Sequence, residues 1–536
     1  MPDGSELEIK LAISDNHLFD NIVADPEIQA MAADNKPVSR SFEAVYFDTR
    51  QFLLQNNGYS YRIRQEGEEW VATVKSDLST SGGLSEREEW NEKVTGPAPS
   101  LKPFSGTHVG DRLALLMGNE KLQPLFSTRF SRTSLPLRTA DGTRVELALD
   151  RGTIWSGVSG IPISELELEL LEGSAGELLK LAAWFVSRWH LSPEPKSKYA
   201  RGLELLQLSN PDWKIAPQPS IRERISSPEP LLLLNAQIKG LFAAQAAVAA
   251  TATPDNIREL RIQFRRLRSL LKFFQPHYPK DSALQVQQDR LRQWGILLGQ
   301  VRDLDVLTGS WLKFTDKFYS LFSPDEQWLL QIKERRDFLT EQIVYRIRQG
   351  ALTQLLLELQ GGLYYEEERR QADGAEVKVN LFVQKSLTQI LKELRDDLRD
   401  PPGLESIKRL HQLRIRIKRL RYIQDALNAI PQYQDDDFAV ALKKLQGQLG
   451  KIHDAYQIKS LLDSVEAGKG TDRFLLEKEL FISWRTRDLL GYYAELPKTL
   501  EAFRQLAKVQ LRTIAALRSN RGAKSGQNAG SHEPGQ

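Results

Sequence analysis

The chain has 536 residues, 41% of them hydrophobic and 27% charged, with a formal net charge of +3. That length exceeds one ordinary domain, and a nearly neutral total leaves any basic function to local clustering. There is no cysteine, hence no disulfide framework, zinc–thiolate site or thiol nucleophile. The sequence also shows no uninterrupted apolar run near the roughly 20 residues of a membrane helix and no basic-then-apolar start, so the expectation is a cytoplasmic protein without membrane contact.

Residues 1–205 read as mostly β. The chain opens on Ser5-Glu6-Leu7-Glu8-Ile9-Lys10. In a strand, alternate side chains share a face, so Glu6, Glu8 and Lys10 lie opposite Leu7 and Ile9. Such a charged face either meets water or lines a polar cavity that holds a metal ion and an anion. Further alternating segments follow at Val45–Asp48, Ser60–Arg64, Trp70–Lys75, Glu86–Trp90, Arg144–Asp150 and Ile163–Leu170, separated by turn signals such as Asn57-Gly58 and Asp141-Gly142. Helical interruptions are expected near 15–34, 108–118 and 174–190. So many short strands predict a barrel or a strongly curved sheet.

The polar members of the alternation are unusual. Arg62 and Arg64 share a face, as do Arg87 and Glu89, and Glu146 and Asp150. Glu165, Glu167 and Glu169 line up on one face opposite Leu166, Leu168 and Leu170. Three carboxylates in a row repel one another on an ordinary surface. A cavity could set such strands against a hard divalent cation, and the basic strands against phosphate oxygens. Structural readings stand beside these. Arg87 and Glu89 also fit a cross-strand pair, and Asp150, before Arg151-Gly152, also fits a turn. Arg129 falls on the face opposite Arg132. Pro193 and Pro195 leave open whether Lys196 or Lys198 points inward.

Glu6-Leu7-Glu8-Ile9-Lys10 resembles the ExExK signature of the CYTH superfamily, the triphosphate tunnel metalloenzymes. Supporting pieces come in family order: Tyr46-Phe47-Asp48-Thr49, Arg62-Ile63-Arg64, Thr73-Val74-Lys75, Arg87-Glu88-Glu89-Trp90, Arg132, Glu146 to Gly152, Glu165 to Gly173, and Ser197-Lys198-Tyr199-Ala200-Arg201-Gly202. The resemblance implies an eight-stranded antiparallel β tunnel that binds a triphosphate with Mg²⁺ or Mn²⁺. Glu6 and Glu8 would be metal ligands, joined by Asp150, Glu165, Glu167 and Glu169. Lys10, Arg62, Arg64, Lys75, Arg87, Arg132 and Lys198 would hold phosphates. The catalytic group would be Glu6, Glu8, Lys10 and Glu167. No Walker-type glycine loop is present, so side chains rather than backbone amides would cradle the phosphates.

Residues 206–230, rich in Pro and Ser from Pro211 on, read as a linker. From 231 to 517 the pattern is helical, with segments expected at 232–250, 256–274, 282–306, 324–349, 375–398 and 404–427. Two are basic along one face: Arg258, Arg261, Arg265, Arg268 and Lys272 on one, and His411, Arg414, Lys418 and Arg421 on the other. They belong to an internal repeat. Leu260-Arg261-Ile262-Gln263-Phe264-Arg265-Arg266-Leu267-Arg268 matches Leu413-Arg414-Ile415-Arg416-Ile417-Lys418-Arg419-Leu420-Arg421. Beyond each lies a second pair, Leu298-Gly299-Gln300-Val301-Arg302-Asp303 and Leu449-Gly450-Lys451-Ile452-His453-Asp454. The spacing predicts two similar four-helix units whose basic helices share a cationic groove.

This half resembles the CHAD domain, which implies polyphosphate binding along the basic surface. One departure is Arg258, at a position where the family often carries histidine; it places metal ligation by a histidine pair in doubt. Asp303, Asp305 and Asp454 fit salt bridges to the arginines better than metal ligation. Residues 518–536 lack periodicity and read as a disordered tail.

The expected molecule is thus an α+β multidomain protein, a CYTH tunnel followed by an all-α CHAD domain. It would hydrolyse inorganic tripolyphosphate and bind longer polyphosphate. Competing readings are an organic triphosphate hydrolase or cyclase acting on thiamine triphosphate or ATP, and a polyphosphate-binding protein without turnover. Near-neutral charge and the lack of a recognised motif count against nucleic acid. The oligomeric state is left open.

Overall fold

The computed structural model describes residues 5–32, 35–209, 229–279, 282, 284–318, 326–372, 379–399, 403–465 and 472–527. The chain divides into two compact units. The first comprises Met1–Glu223, Ser282–Gln287 and Tyr345–Asp373, and the second Arg224–Asp281, Gln288–Val344 and Gly374–Gln536.

In the first unit eight strands close a barrel: β1 (Ser5–Ala12), β2 (Val38–Asp48), β3 (Tyr59–Glu66), β4 (Glu69–Ser81), β5 (Leu84–Val94), β6 (Gln123–Arg138), β7 (Arg144–Ser156) and β8 (Ser159–Glu172). The order is β5-β4-β3-β2-β6-β7-β8-β1, and β1 pairs back onto β5. Every pairing is antiparallel. A two-residue β9 (Ser192–Pro193) lies beside β1. Closure leaves no long free edge. It depends on Gly83 in the β4–β5 turn, where φ is +94° and a Cβ would stand 2.4 Å from the Lys10 carbonyl oxygen.

The barrel is polar within and apolar without. Leu7, Ile9 and Leu11 of β1 and Leu166 and Leu168 of β8 are buried on the outer face. Six helices complete this part of the unit: α1 (Leu18–Ala24), α2 (Pro26–Ala32), α3 (Leu53–Asn56), α4 (His108–Met117), α5 (Ala175–Trp189) and α6 (Lys198–Ser209). Helix α5 packs on β1 and β8. It starts where Ser174 caps the Glu177 amide at 3.3 Å. The segment after Pro195 is helical, so Lys198 opens α6 rather than extending a strand. The expected linker lies almost wholly outside the described residues.

The second unit begins with α7 (Pro230–Ala250), α8 (Pro254–Phe274), α9 (Leu284–Lys317) and α10 (Glu326–Arg348), the outer ends of the last two belonging to the first unit. Next in the chain is α11 (Ala351–Ala372), which packs against α5 in the first unit. Leu352, Leu355, Leu356, Leu357, Leu359 and Leu363 are buried, on more than one face of this helix. A fully buried leucine is stabilised by roughly 1.5–3 kcal/mol relative to an exposed one. The two helices approach closely at Gly176 and Gly361, where a Cβ on either would meet the other's carbonyl oxygen at 3.0 Å. Glu368 of α11 accepts from Ser174 Oγ at 2.6 Å and from the Ala175 amide at 2.8 Å, capping α5 a second time. The sequence expectations did not single out α11 as a separate helix.

The chain resumes in the second unit with α12 (Val379–Arg399), α13 (Ile407–Leu427), α14 (Asp436–Val465) and α15 (Asp472–Gln527). The order α7–α10 thus repeats as α12–α15, and the basic helices α8 and α13 touch each other. Trp311, Phe314, Trp328, Phe474 and Phe481 form part of the core shared by α9, α10, α14 and α15. One expectation needs correction. Helix α15 runs to Gln527, into the tail read above as disordered. Helix α7 is, among the described residues, the one helix long and apolar enough by length and composition to cross a membrane, with under half of its apolar window buried.

Candidate functional sites: a charged tunnel and a cationic groove

The barrel encloses a cavity of about 370 Å³. Because strand side chains alternate, closure sends the polar members of β1, β3, β4, β5, β6 and β8 inward together. Glu6, Glu8, Lys10, Arg62, Arg64, Lys75, Arg87, Arg132, Glu167, Glu169 and Lys198 all line it. Arg129 points away and pairs with Glu43 at the surface. Lys196 is likewise exposed and bound to Glu204, while Lys198 is buried.

Most of the cations already hold carboxylates. Lys10 bonds Glu8 and approaches Glu167 at 3.5 Å. Arg87 donates to Glu8 at 2.9 Å, and Lys75 to Glu6 at 3.1 Å while also bonding Glu89. Arg64 turns to Glu66. Arg62 is different. Its Nη1 donates to the Tyr46 hydroxyl at 3.4 Å, its Nε is buried without a hydrogen-bond partner, and among the described residues no carboxylate makes a close ion pair with it, although Glu89 acts on it through space.

The carboxylates form two groups. Asp150, Glu165 and Glu167 bring oxygens within 4.8 Å of one another, as a metal-binding cluster would. The Lys198 ammonium sits among them, 2.7 Å from Asp150, 3.0 Å from Glu167 and bonded to Glu165. Arg132 grips Asp150 through two bonds of 2.7 Å, and Arg201 donates to Glu165 at 3.0 Å. Asp150 and Glu165 are fully buried and do not line the cavity. Burial works to raise the Glu167 carboxyl, but Lys198, Lys10 and Arg132 hold it well below the usual carboxylate range.

The second group is Glu6, Glu8 and Glu169, with Glu8 directly opposite Glu169 across β1 and β8. Burial lifts Glu169 to about 8, reinforced by Glu6 and Glu8. Burial likewise lifts Glu6 to about 7 against the pull of Lys75. Burial would raise Glu8 too, but Lys10 and Arg87 outweigh it. Two carboxyls that favour the protonated form, beside a third that is ionised, mark a place short of positive charge. Their donors are all oxygens and face an enclosed space, which fits a hard divalent cation such as Mg²⁺ or Mn²⁺.

Several lining residues were not assigned to the site from the sequence: Tyr46, Ser60, Thr73, Glu89, Asn91, Phe130, Leu170, Ser197 and Tyr199. Glu89 shares the Arg87 alternation, which set it beside Arg87 as a candidate without giving it a named role. Lys75 and the hydrogen bond from Glu6 overcome its burial and hold Glu89 low. Asp48, quoted within a motif, serves structure: its carboxylate accepts from the Leu54 and Gln55 amides at 2.9 Å.

The second unit carries a groove of about 850 Å³ between α8, α9, α13 and α14. Arg258, Arg261, Arg265, Arg268, Lys272, His411, Arg414, Lys418 and Arg421 all line it, and Arg292, Arg302, Arg419 and His453 add to them. Asp303 and Asp454 face Arg261 and Arg414, while Asp305 accepts from Arg336 at 3.2 Å. His411 meets His453 with Nδ1 atoms 3.4 Å apart. Burial and Arg414 keep both imidazoles below their usual range, His453 at about 3. Burial, then the surrounding arginines, lower Lys418 to about 6 and Arg261 to about 10.

Residues 4–202 match the CYTH domain family and residues 232–463 the CHAD domain family. The chain is similar to an inorganic triphosphatase of Haemophilus influenzae, with 32% identity over 177 residues, 32% of this chain and 47% of that protein. It therefore spans about half the length of the curated relative it matches. Among solved structures it is similar to a Hippeastrum protein with a dominant triphosphatase activity, at 19% identity and a TM-score of 0.30, over 40% of this chain and 99% of the other. It is also similar to the CHAD domain of Ricinus communis, at 23% identity and a TM-score of 0.37, over 54% of this chain and 91% of the other.

Proposed function

The chain is a CYTH domain followed by a CHAD domain, and from that premise we propose that its tunnel hydrolyses inorganic tripolyphosphate and its groove binds longer polyphosphate. The observation that carries the first part is the coexistence, in one cavity, of the Arg62 guanidinium, which among the described residues makes no close carboxylate pair, and the Glu6 and Glu169 carboxyls, raised by burial to about 7 and 8 beside the ionised Glu8. An anion answers the first and a divalent cation the second. Metal-bound phosphate supplies both.

In this reading Glu6, Glu8 and Glu169 hold Mg²⁺ or Mn²⁺, which when bound neutralises phosphate charge and favours departure of the leaving group. Arg62, Arg64, Lys75 and Arg87 take the phosphate oxygens, exchanging carboxylate partners for substrate. Preorganised charge of this kind stabilises the charge that develops on the transferring phosphoryl group. Lys10, held between Glu8 and Glu167, keeps its ammonium directed into the cavity. Arg132 and Lys198 are tied to Asp150 and Glu167 and orient the deep wall. The Asp150, Glu165 and Glu167 cluster has its cation in Lys198, so the metal is assigned to the other group.

The test is phosphate release from tripolyphosphate by purified protein with Mg²⁺ or Mn²⁺, and its loss in Glu6→Gln. Unchanged turnover in that variant would remove the assignment. Tyr46, Phe130 and Tyr199 in the lining also offer aromatic surface for an organic triphosphate. A panel including thiamine triphosphate and ATP separates that reading.

A further inference from the structure

Lys418 departs from its repeat. The matched helices place arginine at Arg261 and Arg414 and again at Arg268 and Arg421, but Lys418 stands where α8 has Arg265. It is half-buried and lines the groove. Among the described residues no hydrogen bond or close ion pair joins its Nζ to a carboxylate. The charged groups bearing on it are Arg261 and Arg265 from α8, Arg414 and Arg421 from its own helix, and His453 from α14, whose neighbour Asp454 faces Arg414. An arginine in such a cluster keeps its proton, whereas a lysine can lose it. Burial and these arginines bring Lys418 to about 6 in the groove without a bound anion, so there most of it is free amine at neutral pH.

A free amine is a nucleophile, and the guanidiniums around it suit a phosphoryl group. We propose that Lys418 is an acylation site, its amine taking an acyl group from an acyl phosphate whose phosphoryl end is held by Arg265 and Arg414. The amine nitrogen attacks the carbonyl carbon and a C–N bond forms. The C–O bond to phosphate breaks, inorganic phosphate leaves, and the nitrogen's proton passes to the leaving phosphate or to water. The product is an amide that cannot be protonated, so the groove loses one potential cation and holds polyanions less tightly. This rests on reading the groove as a phosphate-binding surface.

The test incubates the full chain with acetyl phosphate at neutral pH and follows acetylation of each lysine by peptide mass spectrometry. Lys418 is expected to react on the order of tenfold faster than Lys408, an exposed lysine on the same helix. Inorganic phosphate and long polyphosphate should each suppress reaction at Lys418 and leave Lys408 unchanged, a control that needs no altered chain. Arg265→Gln with Arg414→Gln should do the same. Equal rates at the two lysines overturn the proposal. So does a preference for Lys418 with acetic anhydride that vanishes with acetyl phosphate, because the phosphoryl group then directs nothing. Fast, phosphate-sensitive reaction at Lys418 in a protein that binds no long polyphosphate would uphold the acylation site and remove the polyphosphate reading.

Discussion

In the tunnel, seven lysines and arginines face five glutamates, and most of the cations already hold a carboxylate oxygen. In the groove, eleven lysines and arginines face three aspartates, and Arg261, Arg265, Arg268, Arg414 and Lys418 make no close ion pair among the described residues. The difference follows from solvent. A closed barrel removes charges from water, where an uncompensated charge is costly, so most of its cations are built with a counter-charge. An open groove leaves cations partly hydrated and screened, and like charges can gather. The tunnel is therefore suited to a ligand that arrives with a cation, and the groove to a bare polyanion.

The largest test of this contrast is Glu6→Gln combined with Glu8→Gln. Phosphate release from tripolyphosphate should fall on the order of 10²–10³-fold, while polyphosphate binding by the groove, followed by titration calorimetry, stays unchanged. Joint loss of both would break the contrast. Next, Arg265→Ala with Arg414→Ala should weaken long-polyphosphate binding about 10–100-fold, since each charge-assisted bond contributes roughly 1.5–3 kcal/mol before screening by water. The salt dependence of binding should flatten by about two charges in the same variant, by analogy with phosphate contacts in nucleic acids. Tunnel turnover should not respond.

The groove should also be pH-dependent through Lys418. In the free protein it loses its proton near pH 6, and a bound polyanion raises that value. The bound state then holds the proton more tightly, so affinity is greatest below the free value and falls as pH rises toward the bound one. Between about pH 6 and 8 the loss should be about tenfold, and Lys418→Arg should abolish it.

A smaller effect concerns the tunnel without metal. The Glu6 and Glu169 values of about 7 and 8 lie above those of an unfolded glutamate. Their contribution to stability is present below the unfolded range and is lost as pH rises through 7 to 8. In chelator the melting temperature should drop by a few degrees across that window, and added Mg²⁺ or Mn²⁺ should restore it. The smallest expected change is Gly361→Val, which wedges α11 from α5 where a Cβ has only 3.0 Å to the Gly176 carbonyl oxygen. It should cost about 1–3 kcal/mol, seen as an earlier transition of the first unit by calorimetry, with groove binding intact.

Much of this was legible in the sequence because it depends on local periodicity. A two-residue period put Glu6, Glu8 and Lys10 on one face of β1 and Arg62 with Arg64 on one face of β3. A helical period aligned Arg261, Arg265 and Arg268, and a repeat paired them with Arg414, Lys418 and Arg421. Which way those faces point was not local. The first six residues of β1 fit a solvated edge equally well until pairing with both β5 and β8 closed the wall and turned the glutamates inward. Lys198 became an internal cation only because α6 begins at that residue, a start that Pro193 and Pro195 obscured. His453 faces His411 across 42 residues of chain, and α11 packs against α5, far away in sequence. The sequence alone determined which charges travel together; tertiary structure decided which are paid back by a partner, because desolvation and ion pairing depend on neighbours that only the closed barrel and the packed helices bring near.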